Sequence, residues 1–295
     1  MNFYILSTIL AGILWGIISI FLKNLVNAGF TSMQVLAMRS VLSALFMFIF
    51  LLFKNKKLLK IELRDLWMFV GTGVISLTFF SVCYFHTIIE SGSSVAVILL
   101  YTSPVFVLLL SALLFKEKIT KFKIIALLLT FAGCILVSGA GGENHLSLKG
   151  FLIGLCAGLG YALYSIFSRF ALKKYDSLTV TFYTFLFSSL SAVPLSNAAA
   201  MVPLSLSMNS TSVLLLCGIA LVCTVLPYIF YTYGLTGLEN SKAAIFVTVE
   251  PLVGTLVGIL LWHEEITLFK ACGILFIFTA LLFNQKNQKN PKNSD

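Results

Sequence analysis

From Ser177 to Leu238 the chain runs for 62 residues without one Asp, Glu, Lys or Arg. A globular soluble chain carries roughly a quarter charged residues, so a segment like this one belongs in another solvent. A hydrocarbon layer about 30 Å thick takes about 20 helical residues to cross, and the segment must therefore cross, turn and cross back. Pro194, Asn197 and Pro203 mark the turn, being residues that interrupt a helix locally.

Uncharged runs of similar character occupy 1–22, 66–89, 91–115, 124–142 and 150–168. Three more carry sparse polar interruptions: 31–53 with Arg39, 242–262 with Glu250, and 266–285 with Lys270. With 59% hydrophobic and 11% charged residues, the chain as a whole reads as an all-α integral membrane protein of ten helices. Open sheets are excluded because every backbone polar group in lipid must be paired within its own segment or a closed barrel. Barrel strands would alternate in polarity over short segments, and these runs are continuous. Residues 1–22 lack a basic start and a small-residue cleavage site, so they are kept as a permanent helix. The six cysteines lie within apolar runs and form no C-x-x-C pair or Cys/His cluster, so they read as small core residues.

The net charge of +9 is a matter of distribution. With the N-terminus on the cytoplasmic side, sixteen Lys and Arg fall on the inside: five in 54–64, four in 116–123, three in 169–174, then Lys242, Lys286, Lys289 and Lys292. Only Lys23, Lys149 and Lys270 fall outside. This asymmetry places both termini in the cytoplasm of a cell (plasma) membrane, and it accounts for the basic surplus without a nucleic-acid partner.

Residues 103–120 and 250–267 match at 7 of 18 positions with an offset of 147, including Pro104/Pro251, Glu117/Glu264 and Thr120/Thr267. At an offset of 146, W-G-I-I-S-I-F-L-K (15–23) lies over Y-A-L-Y-S-I-F-S-R (161–169), and Gly71 aligns with Gly218 at 147. Two halves of five helices follow. Because five is odd, the second half enters from the opposite side, which makes the repeat inverted and suits alternating access to a midplane site.

The order of these motifs resembles the drug/metabolite transporter superfamily, EamA type, over residues 3–284. The resemblance rests on the aromatic-Gly opening of the first helix, the proline in each fourth helix, and the glutamate closing it. It implies one repeat over 3–140, a second over 150–284 and a cytoplasmic tail over 285–295. It also implies a secondary transporter, an exporter of amino acids, amines or drugs, with a small-molecule substrate, a lipid bilayer as its surroundings, no cofactor and no enzymatic activity. Repeat two departs from the pattern in carrying Tyr161 where repeat one has Trp15. An uncoupled facilitator or channel for the same solutes is the alternative, and a homodimer is compatible with either. Three scattered histidines, at 86, 145 and 263, offer no cluster for an intramembrane enzyme.

Depth along each helix singles out the site residues. Trp15, Tyr101, Pro104, Tyr161 and Glu250 lie about 12–18 Å from the ends of their runs, in the middle third of the layer. Tyr164 and Ser103 accompany them, and Pro251 follows Glu250. The aromatic groups suit an aromatic or cationic substrate. Glu250 is either a proton-coupling carboxylate or a structural acid, its repeat partner being Ser103. Arg39 pairs either with a substrate carboxylate or with one of the protein's own. Tyr84 and Tyr231 read as interfacial anchors near helix ends, and His86 as an interfacial histidine or a pH-sensitive gate. Pro104, Pro227 and Pro251 each free a backbone carbonyl one turn earlier. The first and last are placed on a cavity where water or a polar side chain can satisfy it.

Overall fold

The computed structural model describes residues 3–138, 147–206, 208–263, 265 and 267–289, and all regular elements among them are helical. In chain order they are α1 Phe3–Asn27, α2 Ser32–Lys54, α3 Leu63–Ser91, α4 Ser93–Phe115, α5 Lys121–Val137, α6 Leu148–Ala171, α7 Ser177–Leu195, α8 Ser210–Gly237, α9 Asn240–Leu261 and α10 Leu268–Lys289. Eight of these are long and apolar enough to cross a membrane. The other two are shorter in their apolar part: α5 has 17 residues, and that of α10 is Leu268–Asn284. The 62-residue uncharged stretch turns where expected: α7 ends after Pro194, Asn197 adopts φ 55°, and a short helix Ala198–Leu206 containing Pro203 leads to α8.

The helix starts are written locally. Thr31 and Gln34 form a capping box at α2, their side chains satisfying each other's backbone amides. Thr120, Ser147, Asp176 and Asn209 each accept a first-turn amide at α5, α6, α7 and α8. At α9 the Glu239 side chain makes no such bond, and Glu117 supplies the acceptor from the end of α4: its oxygens take the amides of Asn240 at 2.7 Å and Ser241 at 3.2 Å.

Two departures from regular helix recur with the spacing seen in the sequence. The helix of α4 stops at Leu100 and restarts at Ser103, and that of α9 stops at Phe246 and restarts at Val249. Thr102 and Thr248 sit in the breaks and donate their hydroxyls to the carbonyls of Leu99 and Ile245, both at 2.6 Å. Pro104 and Pro251 thus open second helical segments, where a missing amide costs least, and do not bend continuous helices as the sequence suggests. The segments end alike: Lys116 and His263, 147 apart, both adopt left-handed φ values of 57° and 54°. The third helix of each half contains a π-helical stretch, Gly71–Thr78 in α3 and Leu221–Val225 in α8.

Each break is covered by a glycine on a helix of the other half. A Cβ at Gly12 of α1 would stand 2.6 Å from the carbonyl oxygen of Val247, and one at Gly158 of α6 would stand 2.8 Å from that of Leu99. Gly16 likewise faces the carbonyl of Glu250 at 2.8 Å, whereas a Cβ at Gly254 would meet only the carbonyl of Gly16 at 3.7 Å. Small residues of this kind let helix backbones approach in lipid. Along the other flank α5 packs on α10 through Gly133 and Gly273, where a Cβ on Gly133 would stand 2.9 Å from the carbonyl oxygen of Gly273 and one on Gly273 2.8 Å from that of Gly133.

Four connections, three of them lysine-rich, meet on one face. Thr179 and Tyr183 donate to the carbonyls of Leu58 and Leu59, and Lys174 bridges Glu62 at 2.8 Å and Asp65 at 2.6 Å. Donation from Lys174 holds the Glu62 carboxyl below its ordinary pKa. Arg169 donates to the carbonyls of Leu235 and Leu238, and Lys123 pairs with Glu239 at 3.0 Å. Among the cysteines Cys134 and Cys223 are core residues as expected, but Cys156 is exposed. Glu264, His145 and residues 290–295 of the tail lie outside the described residues.

Gly12→Val and Gly158→Val are expected to destabilise the protein by about 1–3 kcal/mol through overpacking. Gly254→Ala is expected to be neutral within about 0.5 kcal/mol. Thermal unfolding in detergent micelles measures all three.

Candidate substrate chamber

Between α1, α2, α3, α6, α8 and α9 lies a cavity of about 250 Å³ whose wall includes Arg39, Glu250, Trp15, Tyr84, Tyr161 and Tyr228. Its outer part reaches Leu22 and Ser32, next to the α1–α2 turn. A tighter lobe continues inward past Tyr101, Ser103, Pro104, Tyr164, Tyr231 and Thr248, and Trp15, Phe80, Tyr161 and Tyr228 border both.

Trp15 is the hub of the walls. Its ring meets Tyr228 at 5.1 Å and Tyr231 at 5.6 Å between centroids, and Tyr161 edge-on at 6.3 Å. Edge and tilted contacts of this kind suit the positive rim and negative face of aromatic rings. Several hydroxyls are already engaged: Tyr164 with Thr232 at 2.6 Å, Tyr231 with Ser165 at 2.8 Å, and Tyr161 donating to Glu250 at 3.2 Å. Among the described residues no hydrogen bond engages the hydroxyls of Tyr84, Tyr101 or Tyr228, which leaves three polar handles facing the cavity.

The chamber brings most of the expected residues together. Trp15, Arg39, Tyr101, Ser103, Pro104, Tyr161, Tyr164 and Glu250 all border one lobe or the other. Pro251 is buried but borders neither, because the helix that restarts at Val249 turns it away from Glu250. That restart also explains how a carboxylate is accommodated at this depth. Glu250 stands in the first turn of a new helix, where the exposed amide ends and the helix dipole favour negative charge. Among the described residues no carboxylate lies within 4.0 Å of Arg39, and the nearest charged group of opposite sign bordering its cavity is Glu250.

Tyr84 and Tyr231 correct the sequence reading. Tyr231 is 5% exposed and packed on Trp15, and Tyr84 borders the wider lobe beside Glu250, so both belong to the chamber and not to an interfacial belt. Tyr228 and Phe80 were not singled out by sequence at all. The cause is the π-helical stretch just ahead of each group: bonding from i to i+5 inserts an extra residue into the turn and rotates everything after it, which a 3.6-residue period cannot foresee. His86 is exposed on α3, and the neighbouring Glu90 pairs instead with Lys149 at 2.5 Å.

The EamA-like transporter family matches the chain twice, over residues 2–139 and 148–284, and the chain belongs to that family. It is a multi-pass membrane transporter by that membership and by its helices. An uncharacterized transporter of Archaeoglobus fulgidus is 28% identical over 280 residues, which cover 94% of each chain. The uncharacterized transporter YdfC of Bacillus subtilis is 23% identical over 271 residues, 88% of this chain and 85% of that one. A crystal structure superposes with a TM-score of 0.79 over 98% of this chain and 99% of the other at 15% identity, which establishes the shared fold.

Trp15→Ala removes the ring on which three tyrosines pack and is expected to cost about 3–5 kcal/mol of stability. Trp15→Phe should keep part of it. Denaturant unfolding of the two variants in micelles measures the difference.

Proposed function

We propose that the chain is a secondary transporter that exports amino acids or closely related metabolites by alternating access. The single observation that carries this reading is that Arg39 and Glu250, the two charged side chains deep in the helices, border one cavity whose other walls are aromatic. A guanidinium recognises a carboxylate through paired hydrogen bonds, and a carboxylate recognises an ammonium, so the two ends of a zwitterion have partners on the protein. Trp15, Tyr161 and Tyr228 then offer faces for an apolar or cationic side chain. Binding energy comes from removing each charge's partner deficit in a low-dielectric site, where an unpaired charge is costly.

In this reading the two family-model matches are inverted five-helix repeats, about 3–140 and 150–284, with α5 and α10 as the fifth and tenth membrane helices. The recurring breaks, π stretches and left-handed ends at one spacing support the relation. The lysine-rich face is cytoplasmic, both termini lie inside the plasma membrane, and residues 285–295 form the tail. Glu250 carries the coupling proton: its carboxylate holds the substrate ammonium in one state and a proton on the return. A pH gradient drives net export against a substrate gradient. Proton–substrate exchange at one carboxylate separates this reading from an uncoupled facilitator, which would equilibrate substrate and never accumulate it.

Counterflow in proteoliposomes, run with amino acids, amines and dyes and with or without a pH gradient, tests the assignment. Arg39→Gln is expected to raise the KM for amino acids by about tenfold or more, the loss of one charged hydrogen-bond pair, while uptake of decarboxylated amines persists. In Glu250→Gln the response of transport to a pH gradient is expected to vanish. An unchanged response in that variant contradicts proton coupling through Glu250, and failure of any zwitterion to exchange contradicts the substrate class.

A further inference from the structure

The lysine-rich mouth holds a second set of buried charges that the chamber does not use. Glu117, at the end of α4, is 9% exposed, and Lys123 of α5 is 1% exposed. Beyond its two backbone amides, Glu117 accepts the Ser241 hydroxyl at 2.5 Å and lies 3.8 Å from the ammonium of Lys123. Lys123 donates to the carbonyl of Lys118 at 2.9 Å and pairs with Glu239 at 3.0 Å. Asn240, which is fully buried, donates its side-chain amide to the carbonyl of Ser165, whose hydroxyl bonds Tyr231 in the chamber wall. A continuous polar column therefore runs from the inner lobe to the lysine-rich face and is stoppered by Glu117 and Lys123.

Buried charges of this kind are poor stabilisers, because desolvation offsets most of their attraction, and they are better suited to fixing one arrangement among several. The arrangement fixed here joins α4 and α5 of one half to the start of α9 of the other, seven residues ahead of the break beside Glu250. The corresponding place in the other half is different. At the offset of 147, Asn240 and Ser241 match Ser93 and Ser94, and Ser93 is exposed where Asn240 is buried. Glu264, which matches Glu117 at that offset, lies outside the described residues. The chamber's wider lobe reaches the α1–α2 turn, on the face away from the lysines. The charge cluster thus stands at one mouth, and the wider lobe reaches towards the other.

We infer that Glu117 and Lys123 form a latch that seals the chamber at the lysine-rich face, and that Glu117 must release the start of α9 for substrate to pass that mouth. This rests on the alternating-access reading. With the latch closed, the first segment of α9 is pinned to α4. With it open, that segment is free to move as a unit about the break at Val247–Thr248. Removing the Glu117 charge weakens the closed state and shifts the population towards one open at the lysine-rich face.

The test uses Ser103→Cys as a reporter in the inner lobe, with the six native cysteines replaced, and a membrane-impermeant cationic methanethiosulfonate added to one face of oriented vesicles. In the parent, labelling from the lysine-rich face is expected to be slow and from the opposite face fast. Glu117→Gln is expected to speed labelling from the lysine-rich face by about tenfold or more, the effect of losing one hydrogen bond to a charged group on a two-state equilibrium. Glu117→Gln/Lys123→Met removes both charges at nearly constant volume, leaves no unpaired ion to unfold the protein, and should shift labelling the same way. Unchanged rates from both faces in both variants, beside a parent with a clear preference, overturn the latch and leave alternating access standing. A parent that labels equally from both faces overturns the latch, because a sealed lysine-rich mouth protects the reporter from that side, and leaves alternating access to the counterflow assay.

Discussion

The architecture depends on how two interruptions in helical hydrogen bonding are tolerated inside a hydrocarbon layer. A helix that stops in lipid leaves amides and carbonyls without water to bond, at several kcal/mol each. In α4 and α9 the break is closed from within by Thr102 and Thr248, whose hydroxyls reach back to the last carbonyls, and shielded from without by Gly158 and Gly12. Each half thus protects the other's weak point, and neither half could present a broken helix to lipid alone. The breaks in turn create new helix starts beside the chamber, which is the place where a carboxylate such as Glu250 is electrostatically welcome.

In the proposed mechanism, binding and movement share this device. The same discontinuity that places Glu250 in the wall divides α9 into two segments, one bearing the charge and one held at the lysine-rich face by Glu117. Packing elsewhere is built for stiffness: hydroxyls of Ser40, Thr78, Ser188 and Ser191 link α2, α3 and α7, and Thr72 meets Thr184 between α3 and α7. A rigid polar seam beside segmented helices is the combination that lets a few elements move against a fixed frame.

Much of this was written in the sequence, because lipid imposes a simple rule on length and charge. The crossing helices, the turn at Pro194–Pro203 and the repeat at an offset of 147 follow from where charges are absent and where motifs recur. Trp15 and Tyr161 are legible by depth, Arg39 and Glu250 as charges within apolar runs, and all four border one cavity. What escaped was partly axial and partly rotational: Tyr84 and Tyr231 read as anchors near helix ends yet border the cavity, and Phe80 and Tyr228 follow the π stretches at Gly71–Thr78 and Leu221–Val225, whose extra residue shifts the inward face in a way no local pattern encodes. Pro251 was assigned to the cavity because proline was expected to bend a continuous helix, whereas here it begins a new one. The pairing of Glu117 with Asn240 and Ser241, more than 120 positions away in the chain, is a tertiary fact that sequence spacing does not carry.

The central claim is that the two mouths of one chamber open in turn. Its most direct measurement is a pair of spin-label distances in the same reconstituted protein, one between exposed positions 118 and 173 on the lysine-rich face and one between exposed positions 93 and 210. Alternating access predicts two populations for each pair, with the long distance on one face accompanied by the short distance on the other as substrate or pH gradient is changed. A single unvarying distance on each face, or both faces widening together, would contradict it.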